Sequence, residues 1–83
     1  MACAATLKKY RALEAAAQER LEAARKARRD MVTEWKSARG PAARFAVEDK
    51  LHPIDAELDA AGKAFEAARD AYLALLATEA TDA

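Results

Sequence analysis

The sequence predicts an all-α fold, a coiled-coil-like antiparallel hairpin of two long helices, and three observations lead to it. Alanine supplies 25 of the 83 residues and glycine and proline two each, which favours helix throughout. A heptad seam runs unbroken from Leu51 to Leu75, the pattern of a helix that keeps one stripe against another helix. Gly40-Pro41 is the only step strong enough to reverse the chain, since glycine ends helices and proline begins them.

The first helix is predicted over residues 4–38. Thr6 is a candidate N-cap, and the alanines before it offer an earlier start. The apolar stripe is spaced nearer to an eleven-residue than to a seven-residue period, with Leu7 and Met31 beside it. It consists of Tyr10, Leu13, Ala17, Leu21, Ala24, Arg28, Val32 and Trp35. Because the second helix keeps a heptad period, we expect close packing in the middle of the hairpin and looser packing at one end.

The second helix is predicted over residues 42–77, after a turn at 39–41 and before a tail at 78–83 that we expect to fray. A turn this short makes the two helices antiparallel neighbours. Pro53 lacks the N–H that would bond the carbonyl of Asp49, which leaves two readings open. One is a continuous helix kinked at Pro53, and the other is a short helix 42–51 followed by a new helix. The seam crosses the proline without a phase slip, which favours the kink.

Folding the chain at Gly40-Pro41 pairs residues whose numbers sum to about 82. The layers formed are Ala17 with Phe65, Leu21 with Ala61, Ala24 with Leu58, Trp35 with Val47 and Tyr10 with Tyr72. The central layers set a small side chain against a large one, as two closely packed surfaces require. The predicted core of the hairpin is Tyr10, Leu13, Ala17, Leu21, Ala24, Val32, Trp35, Val47, Leu51, Ile54, Leu58, Ala61, Phe65, Ala68, Tyr72 and Leu75.

A second stripe of alanines lies beside the seam on both helices, so the apolar arc spans about 200° of each helix, more than one partner covers. The stripe is either a docking surface that lets another helix approach closely, or alanine filling exposed positions by propensity. We favour docking, in its simplest form a dimer that makes a four-helix bundle. The candidate partner interface is Ala12, Ala16, Ala23, Ala27, Ala60, Ala64, Ala67, Ala71 and Ala74.

Charge is balanced overall but not along the chain. Residues 1–39 hold ten basic and five acidic residues, a net of +5, and residues 40–83 hold four and nine, a net of −5. Halves of opposite sign are expected to lie against each other, with Arg25, Arg28 and Arg29 facing Asp55, Glu57 and Asp59. The net charge of zero removes the usual argument for a nucleic-acid partner, and no aromatic residue interleaves the basic run. We therefore expect protein partners, self or other, and neither nucleic acid nor membrane.

We expect no catalytic residues, no cofactor and no metal, so the chain is not predicted to be an enzyme. His52 is the only histidine and points away from the seam, although Glu48, Asp49 and Asp55 lie near it in sequence. Cys3 is the only cysteine, which favours a reducing compartment. We expect neither a signal peptide, since Lys8 and Lys9 soon interrupt the opening residues, nor a membrane span, since no apolar run approaches about 20 residues. We expect a cytoplasmic location or a place within an assembled particle.

Trp35 lies close to Gly40 at the predicted turn, and in this the chain resembles the small hairpin substrates of type VII secretion. Those proteins carry Trp-x-Gly in the loop, dimerise and are often rich in alanine, so the resemblance implies a secreted dimeric hairpin. Here Trp35 is followed by Lys36-Ser37, and Gly40 comes three residues late. The C-terminal Tyr-x-x-x-Asp/Glu of that family is absent, because Leu76 stands four residues after Tyr72.

The sequence thus predicts a non-enzymatic protein–protein interaction or structural module built from a self-associating hairpin, such as a component of a bacterial or phage particle. The alternative is a small regulator that binds and inhibits one partner enzyme or toxin. Self-association at micromolar concentration separates the two, since a regulator is expected to need its partner for full stability.

Overall fold

A computed structural model describes residues 3–82, with side chains described up to Glu79. Two helices, α1 (Ala4–Ser37) and α2 (Pro41–Asp82), pack against each other along their length. The result is a rod of 63 × 14 × 13 Å. Residues 3–82 contain no strand. The predicted all-α antiparallel hairpin is confirmed.

The start of α1 lies earlier than a cap at Thr6 would place it. Cys3 is the N-cap, and its carbonyl accepts the N–H groups of Thr6 and Leu7 at 3.0 and 3.1 Å. Thr6 lies inside the first turn, where its hydroxyl is 3.1 Å from the Cys3 sulfur. Alanine helix propensity over residues 4 and 5 outweighs the cap that Thr6 offered, so the earlier start is the correct alternative.

The turn uses its glycine and proline for different tasks. α1 ends at Ser37, and Ala38 is extended while its N–H still donates to the Trp35 carbonyl at 3.2 Å. Among residues 3–82 only Gly40 takes a left-handed backbone, with φ of +87°, so it reverses the chain three residues past the end of α1. Its carbonyl accepts the N–H of Arg44 at 3.2 Å. Pro41 opens α2 at a position where no N–H is required.

The helix α2 runs unbroken through Pro53 for 42 residues. The structure therefore agrees with a continuous second helix and not with a new helix at Pro53. It also differs from the predicted end at residue 77, because 78–82 continue the helix, while Ala83, the last residue of the predicted tail, lies outside the described residues. Thr78 Oγ1 donates to the Ala74 carbonyl at 3.0 Å, and no glycine or proline follows Gly62 to stop the helix.

Replacing Pro53 with alanine is expected to stabilise the hairpin. The substitution restores the N–H that proline withholds from the carbonyl of Asp49, a defect that costs up to about 3 kcal/mol in a helix interior. Thermal unfolding followed by circular dichroism should show a midpoint raised by several degrees. Pro41→Ala is the matched control, because a proline in the first turn costs no hydrogen bond. An equal rise in both variants would contradict this account of Pro53.

The buried core consists of a central cluster and one further side chain nearer the turn. In the described part of the chain the buried hydrophobic side chains are Leu21, Ala24, Val47 and Ala61, and Ala61 is 0% exposed. Leu21, Ala24 and Ala61 form one cluster, against which Leu58 and Phe65 pack. Small and large side chains alternate across the helices there, in the layers that the sequence predicts. Towards the termini the side chains are at most half-buried, so the packing is looser at the open end.

Polar contacts between the two helices show which residues of α1 lie level with which residues of α2. Arg28 Nε donates to Asp55 Oδ1 at 2.9 Å, and Trp35 Nε1 donates to Glu48 Oε1 at 3.2 Å. Both pairs have numbers that sum to 83, within one residue of the predicted register. The pair Lys50 and Glu34, 3.4 Å apart, sums to 84.

The predicted core is placed inside the hairpin with one exception. Every predicted core residue of α2 is buried or half-buried, and so is every one of α1 except Leu13, which is 51% exposed. Glu14 is half-buried in the place expected for Leu13, and Arg28, assigned to the same stripe, is exposed. From Tyr10 to Ala24 the buried and half-buried positions alternate by four and three, as a match to the heptad of α2 requires. Beyond Ala24 the heptad position is Arg28, which is exposed, and the half-buried side chains are Ala27, Met31, Val32 and Trp35. Between Tyr10 and Ala24 the spacing is therefore that of a heptad, with Leu13 outside it, and not the predicted eleven-residue period.

Candidate interaction surface

Two rows of side chains flank the seam, one on each helix. They follow the three-four spacing that keeps residues on one helical face. The α1 row is Leu13, Ala16, Arg20, Ala23, Ala27, Asp30 and Glu34, and the α2 row is Lys50, Pro53, Glu57, Ala60, Ala64, Ala67, Ala71 and Ala74.

Two ion pairs show that both rows lie on the same side of the hairpin. Arg20 Nε and Nη2 donate to the two carboxylate oxygens of Glu57 at 2.8 and 2.6 Å. Lys50 Nζ lies 3.4 Å from Glu34 Oε1 nearer the turn. Each pair joins one row to the other across the seam. The alanines of the two rows therefore form one continuous surface.

We call this surface the alanine face, and it contains Leu13, Ala16, Ala23 and Ala27 of α1 with Ala60, Ala64, Ala67, Ala71 and Ala74 of α2. Ala12 lies at its edge. Most of the predicted interface alanines are exposed in the hairpin, and Ala27 and Ala64 are half-buried. From Ala60 to Ala74 the α2 row holds no charge over about 21 Å at 1.5 Å per residue.

Leu13 is the one large apolar side chain of this face. Its 51% exposure follows from its position between the seam and the alanines. A lone exposed leucine is ordinary on a protein surface, but here alanines of both helices surround it. Sequence reasoning assigned Leu13 to the core, and the structure assigns it to the alanine face.

The Arg20–Glu57 pair crosses the alanine face near the middle of the rod. Because Arg20 donates two hydrogen bonds to Glu57, the pKa of the Glu57 carboxyl is lowered, and the pKa of the Arg20 guanidinium is raised. Both side chains remain about half exposed. The geometry is bidentate, the strongest form of such a pair, and it fixes how the two rows lie relative to each other.

The opposite side of the hairpin is charged. An open groove between the helices is lined there by Gln18, Glu22, Arg25, Asp59, Lys63, Glu66 and Arg69, with Leu21, Leu58, Gly62 and Phe65 at its floor. Charged groups of both signs make this a solvated surface. The two sides of the rod thus differ in kind, one alanine-rich and one charged.

The predicted facing of basic and acidic clusters is realised only in part. Arg28 binds Asp55, but Glu57 binds Arg20 and Asp59 lies 3.1 Å from Lys63 on its own helix. Helix rotation explains this, since Arg28 and Asp55 lie on the charged side of the rod and Glu57 lies on the alanine side.

Two aromatic residues lie near the turn end of the rod, Trp35 in the seam and Phe45 outside it. Trp35 is half-buried, with the Arg44 guanidinium 4.9 Å from the centre of its ring, an arrangement that favours a cation–π contact. Phe45 is 62% exposed. Phe45 belongs to none of the predicted stripes, although its position two residues before Val47, which is in the seam, already places it on the outer face of α2.

The candidate chemical residues do not come together. His52 and Cys3 are both exposed, and within residues 3–82 no group of three His, Cys, Asp or Glu side chains could hold a metal ion. Hydrogen bonding to the Thr6 hydroxyl lowers the pKa of the Cys3 thiol. Neither helix, within the described residues, has a stretch long and apolar enough to cross a bilayer.

No family model, curated protein or solved structure matches this chain. The resemblance to the Trp-x-Gly hairpins stays a prediction based on Trp35 and Gly40. The role of the chain is therefore inferred from the chain itself, above all from the alanine face and the charges of the two helices.

Proposed function

We propose that the chain is a non-enzymatic assembly module, a helical hairpin that associates with itself through the alanine face. The observation that carries the proposal is the contrast between the two sides of the rod. One side presents a charged groove, and the other presents a charge-free alanine row with Leu13 beside it. A component of a bacterial or phage particle is one setting for such a module.

The accessible surface of the hairpin supports this proposal. It amounts to 6020 Å² for a chain of 9.0 kDa, whereas a compact monomer of that mass exposes about 4,900 Å². The excess arises because two helices enclose one seam and leave their other faces open. It is comparable to the roughly 800 Å² that each partner buries in a stable complex.

The small core supports it as well. Four hydrophobic side chains are buried among the described residues, and a core in a chain of this size rarely supplies more than about 3–5 kcal/mol. Association is a common way in which small domains gain the missing stability. A dimer that covers the alanine face would bury Leu13 and both alanine rows at once.

Sedimentation equilibrium over a micromolar concentration series tests the proposal. The wild-type chain is expected to reach twice its 9.0 kDa mass. Leu13→Ala should weaken the dimer roughly 30- to 1,000-fold, since each copy loses about 1–2 kcal/mol of apolar burial. Leu73→Ala is the matched control, because Leu73 has the same 51% exposure but lies off the alanine face.

Two outcomes would contradict self-association through this face. The first is a mass of one chain at every concentration, which would favour the alternative of a small regulator that binds and inhibits a partner protein. The second is an equal effect of the two leucine substitutions on the mass, which would show that the contact between copies does not depend on Leu13.

A further inference from the structure

Near its end, α2 has a segment without charge on any side. From Ala71 to Thr78 it reads Ala-Tyr-Leu-Ala-Leu-Leu-Ala-Thr, in a chain in which 34% of the residues are charged. Tyr72 and Leu75 lie in the seam, and Ala71 and Ala74 belong to the alanine face. A helix that is apolar all round is normally a buried helix. The one remaining side of this segment is therefore expected to be covered as well.

The remaining side presents two leucines to solvent, Leu73 and Leu76, which are 51% and 38% exposed. They follow Glu66 and Arg69 by seven residues each, and those two side chains line the charged groove. Residues seven apart lie on the same face of a helix. Leu73 and Leu76, which we call the leucine patch, therefore extend this groove to the open end of the rod, on the side opposite the alanine face.

Two cations of α1 lie beside the leucine patch. Lys8 and Arg11 precede Glu22 and Gln18, which also line the groove, by fourteen and seven residues. In the observed register, in which paired numbers sum to 83, they lie level with residues 72–75 of α2. Both cations are exposed, and neither forms an ion pair with a described residue. Their charge is therefore left for a partner outside the chain.

The acidic side chains of this end are placed differently. Glu14 and Glu79 lie in the seam and are half-buried. Asp70 has its own cation, since its Oδ1 lies 3.9 Å from Arg69 Nε. Glu66 lies on the face of the leucine patch but about 10 Å nearer the middle of the rod. Among the described residues, the unpaired charges beside the leucine patch are therefore positive.

We propose that the leucine patch binds an acidic amphipathic helix of a partner protein. Such a helix would set its apolar stripe on Leu73 and Leu76, as helices do in apolar grooves. Aspartate or glutamate beside that stripe would meet Lys8 and Arg11. The inference does not rest on the proposed self-association, because the leucine patch and the alanine face lie on opposite sides of the rod.

The groove next to the leucine patch favours a helix as the occupant. Gly62 lies at its floor, and a Cβ built there would have no atom within 4 Å. Alanine is the better helix former, so the hairpin itself gains nothing from glycine here, whereas a partner backbone can approach it closely. From Gly62 to Leu76 the groove offers about 21 Å, the length of roughly four helical turns. A concave surface of this length fits a helix and not a flat bilayer.

A labelled peptide of about four helical turns serves as the probe, with leucines alternately three and four residues apart and glutamates beside them. Fluorescence anisotropy in a titration with the full chain should show saturable binding. The same peptide with lysine in place of glutamate should bind about tenfold more weakly. Leu73→Ala together with Leu76→Ala should weaken binding of the acidic peptide roughly 30-fold, since the variant loses apolar area on both side chains.

Two further variants separate the parts of the contact. Lys8→Gln together with Arg11→Gln should remove most of the preference for glutamate over lysine and keep the dependence on the leucine patch. Leu13→Ala is the matched control, because Leu13 has the same 51% exposure as Leu73 but lies on the alanine face. It should leave the affinity for the peptide unchanged. Circular dichroism of each variant checks that the helices are retained.

Several results would overturn the inference. Absence of saturable binding, equal affinity for the two peptides or an unchanged affinity in the leucine variant would each do so. Leucine-dependent binding to phosphatidylglycerol vesicles, without binding to the peptide, would assign the patch to a lipid surface. A mass above two chains that falls to two in the leucine variant would assign it to a further copy of the chain. By contrast, a wild-type mass of one chain together with leucine-dependent binding of the acidic peptide would overturn the proposed self-association and support this inference.

Discussion

Leu21→Ala is expected to unfold most of the isolated hairpin. Leu21 is 7% exposed and lies in the central cluster with Ala24 and Ala61. Truncation of a buried leucine to alanine costs about 2–5 kcal/mol, as much as the whole core of a chain this small supplies. The helices form chiefly by packing on each other, so loss of the cluster should lower the helical signal of the whole chain.

Circular dichroism at low protein concentration, with a thermal or urea transition, measures this effect. Leu73→Ala is again the matched control, because it makes the same chemical change at a side chain that is 51% exposed. We expect its midpoint to shift by a small fraction of the Leu21→Ala effect. Similar losses in the two variants would show that the central cluster is not the centre of stability.

The second helix could be predicted in detail because its heptad is continuous. Each seam position from Leu51 to Leu75 is half-buried or buried in the structure, since the three-four spacing leaves only one stripe to face a neighbour. The first helix could not be predicted alone. Its apolar residues fit two periods, and the choice between Leu13 and Glu14 is made by the heptad of α2 and not by α1.

The ends of the helices were harder to predict than their packing. Alanine is so favourable in a helix that start and stop signals lose their contrast. Thr6 therefore lies inside the first turn and does not cap it, and residues 78–82 continue α2. In such a sequence only the helix boundary at Gly40 and Pro41 has a signal strong enough to be predicted.

Each alanine row could be predicted from the sequence. That both rows lie on the same side of the hairpin could not. A helical wheel places a row relative to its own seam and says nothing about which way the partner helix is turned. The ion pair of Arg20 with Glu57 supplies that relation. Its numbers sum to 77, whereas those of the other long-range pairs sum to 83 or 84, so the register alone would not have predicted it. Long side chains reach across this offset.

Ala64→Glu together with Ala71→Glu should abolish self-association. Both alanines belong to the charge-free row of α2, so a dimer through this row would bury four carboxylates. Each buried charge without a partner costs several kcal/mol, and we expect the dimer to weaken by more than a thousandfold. Sedimentation at a temperature where the variant stays helical should then give the mass of one chain over the whole micromolar range.

Ala15→Glu together with Thr33→Glu adds the same two charges elsewhere. Both residues are exposed, and Ala15 lies about 160° round α1 from Leu13 at 100° per residue. The eighteen residues from Ala15 to Thr33 make five full turns, so both glutamates project in one direction, away from the alanine face. This control should remain dimeric, because only the position of the charges differs. Dissociation of the control would attribute the effect to net charge, and an unchanged mass for the Ala64 and Ala71 variant would show that the contact lies elsewhere.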